Sequence, residues 1–82
     1  MEKGVVIYTV TGCPFCARAK KWLQAHDVTF EERDAAKNEH YIEEVFKMTG
    51  HGAVPLILIG GQMIVGFDEP KLDAALVKLR QS

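Results

Sequence analysis

The order of hydrophobic and polar residues along the chain predicts seven secondary-structure elements. The first is a strand over Gly4–Val10, where the apolar, β-branched run is too continuous for a half-exposed strand and indicates burial inside a sheet. Thr11-Gly12 then turns the chain, and Pro14 suits the first position of a helix that extends to about His26. The residues of this helix predicted to face inward are Cys16, Ala19, Trp22 and Leu23.

A second strand and a second helix follow. The strand is predicted over Val28–Arg33, where Val28 and Phe30 alternate with polar residues, and it is expected to lie parallel to the first strand because a helix connects them. Asn38 suits the N-cap of the second helix, and Gly50 suits its end because glycine adopts the left-handed conformation without penalty. Four residues at helical spacing predict a single buried stripe on this helix, namely Ile42, Val45, Phe46 and Thr49.

The last third of the chain predicts a hairpin and a final helix. Apolar runs over Leu56–Ile59 and Gln62–Val65 flank a Gly-Gly pair, which is typical of two antiparallel strands joined by a tight turn. Asp68 suits the N-cap of the last helix, and Pro70 falls in its first turn. The resulting order, βαβαββα, predicts an α/β fold with a four-stranded mixed sheet and helices on both faces.

Composition narrows the classes of function. With 82 residues, the chain is expected to form one domain, residues 1–82, and to act as a monomer. A formal net charge of −1 gives no general basic surface for nucleic acid. No apolar run approaches the roughly 20 residues that span a bilayer, so no membrane segment is expected. The N-terminus lacks the features of a secretory signal, which favours the cytoplasm.

The strongest chemical signal is the motif Cys13-Pro14-Phe15-Cys16, placed between the first strand and the helix that follows it. A C-x-x-C pair beside a βαβ pattern is typical of a redox-active dithiol. Cys13 is expected at the helix N-cap, where free backbone N–H groups and the positive end of the helix favour its thiolate. Cys16 lies one turn further in, with less access to water. Cys13 is therefore the candidate nucleophile, and Cys16 is the candidate resolving thiol.

Two other uses of the cysteine pair fit the sequence less well. A structural zinc site needs four ligands, and the spacing of His26, His40 and His51 supplies no second pair, so no metal site is expected. A buried, inert pair of cysteines gives no reason for the glycine before the motif or the proline within it.

Four segments together resemble the glutaredoxin family: Ile7-Tyr8-Thr9, the motif Cys13–Cys16 with the residues up to Lys20, Val54-Pro55, and Gly66-Phe67-Asp68. The resemblance runs from the first strand to the last helix. It implies a thioredoxin fold and a thiol–disulfide oxidoreductase, with Cys13 as nucleophile and Cys16 as resolving thiol. It also implies that the Val54–Pro55 bond is cis and faces the dithiol.

The resemblance further implies a binding site for glutathione or a disulfide-containing protein. Val54 and Pro55 would pair with the cysteinyl part of the substrate, and Gly66, Phe67 and Asp68 would meet the γ-glutamyl end. The candidate substrate-binding residues are thus Thr11, Val54, Pro55, Gly66, Phe67 and Asp68, and Pro14 and Phe15 complete the motif.

The electron donor is left open by the same resemblance. Glutaredoxins commonly carry a Lys three residues before the first Cys, and this chain has Val10 there. Glutathione, as a co-substrate that is not tightly bound, and thioredoxin reductase are both candidate donors. An alternative function that the family permits is a dimeric iron–sulfur module held by Cys13 and glutathione.

Overall fold

The structure is a computed structural model that describes residues 5–52 and 54–81. The described part of the chain forms four strands and three helices, in the order β1 (Val6–Thr9), α1 (Pro14–Ala25), β2 (Glu31–Asp34), α2 (Glu39–Thr49), β3 (Leu56–Ile59), β4 (Gln62–Val65) and α3 (Glu69–Gln81). The predicted βαβαββα order is confirmed. Gly4, which the sequence places at the start of the first strand, lies outside the described residues.

The four strands form one mixed sheet in the order β2-β1-β3-β4. β1 runs parallel to β2, as expected for strands that a helix connects, and antiparallel to β3, with Ile7 opposite Ile57. β3 and β4 pair as the predicted antiparallel hairpin. The central strands are therefore β1 and β3, and the chain leaves the end of β1 directly into the cysteine motif.

Alternate residues of the central strands face opposite sides of the sheet. On one side Ile7, Ile57 and Ile59 pack in a cluster with residues of α1 and α3. On the other side Tyr8 and Leu56 pack against Val45 of α2. Helices therefore cover both faces, two on one side and one on the other, as predicted from the order of the elements.

The second strand begins later than predicted. The sequence places it over Val28–Arg33, whereas β2 is Glu31–Asp34. The reason lies in the end of α1: Asp27 adopts a φ of 57°, and the Val28 N–H bonds to the Leu23 carbonyl at 2.9 Å, which ties this residue to the helix. Val28 is buried all the same, so the apolar side chains that suggested a strand fill the core from the connection.

The predicted buried stripe of α2 is wrong at Ile42 and Phe46, which are exposed, and Thr49 is only partly buried. Val45 is buried, but Ile42 is 40% exposed and Phe46 is 51% exposed. A helix that covers one face of a sheet by itself buries only its central line, and no second helix in the described part of the chain closes over its flank. By contrast, the inward residues predicted for α1 are all buried, namely Cys16, Ala19, Trp22 and Leu23.

The ends of the helices follow the predicted caps. The Asn38 side chain accepts a hydrogen bond from the His40 N–H at 2.9 Å, and Gly50 ends α2 with a φ of 79°. The Asp68 carboxylate accepts a hydrogen bond from the Lys71 N–H at 3.3 Å at the start of α3. In the residues described here, no helix has the length and apolar character needed to cross a membrane.

Candidate active site

The turn between β1 and α1 sets the position of Cys13. Gly12 has a φ of 84°, a left-handed conformation that glycine adopts without strain. The Cys13 N–H then bonds back to the Val10 carbonyl at 3.3 Å, and Pro14 begins the helix. Cys13 occupies the N-cap with extended backbone angles, as predicted from the proline that follows it.

The Cys13 sulfur is held by the first turn of α1. Cys13 Sγ accepts a hydrogen bond from the Cys16 N–H at 3.3 Å. This N–H is one of the unpaired donors at a helix N-terminus, so it stabilises negative charge on the sulfur that faces it. Cys13 is half-buried and Cys16 is 2% exposed, and both thiols are free. The first sulfur is therefore open to a reaction partner, and the second is shielded beneath it.

Cys16 is held in its protonated form by its surroundings. Burial raises the pKa of the Cys16 thiol to about 12, with a hydrogen bond to Cys13 acting in the same direction. A backbone hydrogen bond with Val10 and, to a smaller degree, the charge of Lys20 act in the opposite direction and lower this pKa. At neutral pH Cys16 therefore keeps its proton until something favours its loss.

Both cysteines line an open groove of about 530 Å³, which we call the polar groove. Its residues come from the motif turn, α1, β2 and the loop after β2. They are Val10, Thr11, Gly12, Cys13, Pro14, Cys16, Ala17, Lys20, Glu32, Asp34 and Lys37. Of the residues that the sequence predicts for the site, the polar groove thus brings together Thr11, Cys13, Pro14 and Cys16.

Sequence reasoning missed three charged residues of the polar groove, Glu32, Asp34 and Lys37. Asp34 accepts hydrogen bonds from the Thr11 hydroxyl at 3.0 Å and from the Ala36 N–H at 2.9 Å. The signal that locates the two acids is the parallel pairing of β1 with β2, because parallel strands end at the same edge of a sheet. The predicted strand stopped at residue 33, one position short of Asp34.

A second, smaller groove of about 190 Å³ lies on the other side of Val10, and we call it the apolar groove. Its lining residues are Val10, Ala35, Ile42, Val45, Phe46, Gly52 and Val54. Val10 belongs to both grooves, so the apolar groove adjoins the dithiol. The exposed side chains of Ile42 and Phe46, which the sequence placed in the core, form one of its walls.

The loop before β3 carries the proline that the resemblance singled out. The Val54–Pro55 bond is cis, as the resemblance implied. The Pro55 carbonyl accepts a hydrogen bond from the Gly66 N–H at 2.8 Å, which joins this loop to the end of β4. Two predicted binding segments are thus neighbours, although Pro55 and Gly66 line neither groove.

The remaining predicted site residues, Phe15, Phe67 and Asp68, lie outside both grooves. Phe15 is 55% exposed, and the Arg18 guanidinium lies 5.7 Å from its ring centroid. Phe67 packs against the larger core cluster, and Asp68 caps α3. In residues 5–52 and 54–81, no group of three or more His, Cys, Asp and Glu is placed to hold a metal ion.

Comparison with known proteins identifies the family. The glutaredoxin family model matches residues 5–64. The chain belongs to the glutaredoxin family. It is 42% identical over 65 residues to glutaredoxin 3 of Escherichia coli strain K12, a match that covers 79% of this chain and 78% of the relative. The residues that the family model matches include the cysteine motif, the lining of both grooves and the cis-proline loop.

Solved structures agree with this assignment. A glutaredoxin from Archaeoglobus fulgidus superposes with a TM-score of 0.80 at 30% identity, covering 93% of this chain and 87% of that one. A buckwheat glutaredoxin in complex with glutathione gives a TM-score of 0.76 at 26% identity, covering 93% of this chain and 74% of that one. This glutaredoxin therefore has the thioredoxin fold, and it is a thiol–disulfide oxidoreductase.

Proposed function

We propose that this glutaredoxin reduces disulfides with Cys13 as the nucleophile and Cys16 as the resolving thiol. The observation that carries the proposal is the hydrogen bond from the Cys16 N–H to Cys13 Sγ, at 3.3 Å, beside an open groove. An amide donor favours the thiolate of Cys13, and thiolate is the nucleophilic form. Cys16 is buried and protonated, so it does not compete for the first attack.

The reaction proceeds in two exchanges. In the first, the Cys13 thiolate attacks one sulfur of the substrate disulfide, and the other sulfur leaves as a thiolate that takes a proton from water. In the second, Cys16 loses its proton and attacks Cys13 Sγ. The mixed disulfide breaks, the substrate leaves with the electron pair, and Cys13 and Cys16 remain joined as a disulfide that an external donor must reduce.

The proposed substrate-binding residues come from three segments of the chain. The backbone of Val54, beside cis-Pro55, would pair with the cysteinyl part of the substrate as an added strand does. Gly66, Phe67 and Asp68 would receive the γ-glutamyl end of glutathione, and Thr11 would border the substrate on the polar side. The hydrogen bond between Pro55 and Gly66 supports this arrangement, because it keeps the two binding segments adjacent. The buckwheat relative is a glutathione complex.

Protein disulfides and glutathione mixed disulfides both belong to the proposed substrate range. The lining of the apolar groove supports protein substrates, because its residues carry no charge to meet a glutathione carboxylate. Lys37, an exposed cation that lines the polar groove, supports glutathione as a co-substrate. The proposed donor is glutathione or thioredoxin reductase. The proposed state is a monomeric domain of residues 1–82 in the cytoplasm, where thiols are kept reduced.

Replacing each cysteine in turn tests the two roles. Cys13→Ser should abolish turnover on every disulfide substrate, because it removes the nucleophile. Cys16→Ser should keep activity on glutathione mixed disulfides, since that exchange needs only one thiol of the enzyme, and should lose activity on protein disulfides. The measurement is NADPH oxidation in an assay coupled through glutathione and glutathione reductase. Equal loss in both variants on the glutathione mixed disulfide would contradict the proposal.

Two further measurements identify the electron donor and test the iron–sulfur alternative. Offering the oxidised protein glutathione with glutathione reductase, and separately thioredoxin reductase, each with NADPH, identifies the donor by the pathway that reduces the disulfide. Anaerobic purification followed by iron analysis and a visible spectrum tests the iron–sulfur alternative. A colourless, iron-free sample is expected, and stoichiometric iron with visible absorbance would favour the cluster module over the dithiol enzyme.

A further inference from the structure

The polar groove contains an ion pair between Lys20 and Glu32 to which the proposed attack of Cys13 on the substrate assigns no role. Lys20 Nζ lies 3.0 Å from Glu32 Oε2, and the Thr9 hydroxyl donates a hydrogen bond to the same oxygen at 2.9 Å. Thr9 is 1% exposed, so the carboxylate is anchored from inside the sheet. The ammonium of Lys20 is thereby attached through Glu32 to β1 and β2, although its own backbone belongs to α1.

Lys20 shares its face of α1 with the resolving cysteine. Cys16 and Lys20 are four residues apart, which places their side chains on the same side of a helix. Both line the polar groove, whereas the neighbouring Lys21 is exposed and lies outside that groove. Burial dominates and raises the pKa of Cys16, while a backbone hydrogen bond with Val10 and, to a smaller degree, the charge of Lys20 lower it. Helical spacing and the shared groove thus place this one lysine on the same side of α1 as the buried cysteine.

We propose that Lys20, positioned by Glu32 and Thr9, stabilises the negative charge that develops on Cys16 when this thiol resolves the mixed disulfide. The inference rests on the proposed roles of the two cysteines. Lys20 acts by its charge and takes no part in bond formation. Glu32 and Thr9 are positioning residues that act through Lys20.

The resolving step balances without a further reagent. Cys16 gives its proton to water, and its sulfur forms a bond to Cys13 Sγ. The bond between Cys13 and the substrate sulfur breaks, and the leaving sulfur takes the electron pair and then a proton from water. Negative charge resides on Cys16 only before and during the attack, which is when a nearby cation lowers the energy of the reacting pair.

The other charged residues of the polar groove, Asp34 and Lys37, do not offer the same stabilisation to Cys16. On β2, Asp34 accepts hydrogen bonds from Thr11 and Ala36, and its negative charge opposes a thiolate. Lys37, in the loop after β2, is exposed. Cys13, at the N-cap of α1, is joined to the substrate in the mixed disulfide at the moment of resolution. Of the two lysines that line the polar groove, Lys20 is therefore the one that is held by an ion pair and lies on the same side of α1 as Cys16.

A two-phase thiol exchange measures the proposed effect. The reduced protein is mixed with a neutral dipyridyl disulfide, which releases one chromophore when Cys13 attacks and a second when Cys16 resolves. Lys20→Gln should slow the second phase by about three- to tenfold at neutral pH, as expected for loss of a partly screened charge. The pH at which the second phase reaches half its maximal rate should rise by about 0.5 to 1 pH unit, because one unit corresponds to a tenfold change.

Three variants separate this role from a structural one. Lys21→Gln removes the same charge from the same helix outside the polar groove and should change neither phase. Lys20→Arg should restore most of the second-phase rate. Thr9→Val removes a hydrogen bond to the Glu32 carboxylate without removing a charge, so it should shift the pH profile of the second phase in the same direction as Lys20→Gln but less.

The outcomes distinguish this inference from the function on which it rests. If Lys20→Gln matches Lys21→Gln, or slows the first phase as much as the second, the inference is wrong while the dithiol mechanism stands. Lys20→Gln combined with Cys16→Ser should leave the remaining first phase unchanged, and a slower first phase would mean that the lysine acts on Cys13. Absence of a second phase in the unaltered protein would overturn the proposed function itself.

Discussion

The two faces of the sheet are covered to very different degrees. On the face covered by α1 and α3, Ala19, Leu23 and Leu72 have no exposed surface. On the opposite face, α2 buries Val45 but leaves Phe46 half in water. We call these the closed face and the open face. Both are built from strands of the same sheet, so the difference comes from the number of helices that cover each side.

Because of this difference, the dithiol has a tightly packed helix on one side and an open groove on the other. The helix that begins at Cys13 belongs to the closed face, where tight packing fixes its first turn and hence the direction of its N–H groups. The open face leaves the apolar groove beside Val54, next to the cis-proline loop. Disulfide exchange needs a Cys13 sulfur held in one orientation and a surface that a substrate can reach, and the two faces supply one of these each.

The largest effect is expected from a cavity in the closed face. Leu23→Ala removes a side chain with no exposed surface and should lower the free energy of unfolding by about 2–5 kcal/mol. The matched variant on the open face, Ile42→Ala, removes a side chain that is 40% exposed and should cost less than half as much. Urea unfolding of the reduced proteins measures both values. Equal losses would mean that the two faces are packed alike.

A smaller effect is expected from the polar contacts that tie α2 to the open face. The Tyr8 hydroxyl donates a hydrogen bond to Glu44 at 2.5 Å, and Arg33 donates to the same hydroxyl at 2.8 Å. The hydrogen bond from Tyr8 is the main reason that the pKa of Glu44 lies below its ordinary value of 4.5. A depressed pKa contributes stability above pH 4.5, and this stability is lost as the pH falls through the lower, folded value.

Tyr8→Phe should therefore flatten the acid side of the stability profile. The variant is expected to be less stable than the unaltered protein at neutral pH, and the difference should shrink as the pH falls below 4.5, where Glu44 is protonated in the unfolded chain. Urea midpoints at a series of pH values measure the difference. The control is Tyr41→Phe, which keeps the ring beside Tyr8 and leaves the hydrogen bond to Glu44 intact. A constant difference at every pH would contradict this reading of the contact.

The closed face and the dithiol could be predicted from the sequence, because local rules determine both. Helical spacing of Ala19 and Leu23 gives the buried side of α1, and a proline directly after Cys13 fixes the N-cap. The cis bond before Pro55 came from the family resemblance, since the residues themselves favour the trans form. Features that depend only on neighbouring residues along the chain, such as the buried side of α1 and its N-cap, can therefore be predicted from the sequence.

The open face and the charged part of the polar groove could not be predicted in the same way. The pattern on α2 shows which side of the helix is apolar, but whether Ile42 and Phe46 are covered depends on a neighbour that the pattern does not contain. Likewise, Glu32 joins Lys20 only through the register of β2 against β1, and the predicted strand began three residues too early. Strand register and the burial of a helix flank both depend on contacts between distant segments, so the pattern within one segment does not predict them.

The smallest effect is expected at the exposed wall of the apolar groove. Half of the Phe46 ring is already in contact with water, so Phe46→Ser gives up only part of the usual burial energy and should cost about 1 kcal/mol or less. Trp22→Ser on the closed face, where the ring is 8% exposed, is the matched control and should cost several times more. Urea unfolding at neutral pH measures both variants. A loss at Phe46 as large as that at Trp22 would mean that the ring is covered in solution, and the contrast between the two faces would then belong to this conformation and not to the working protein.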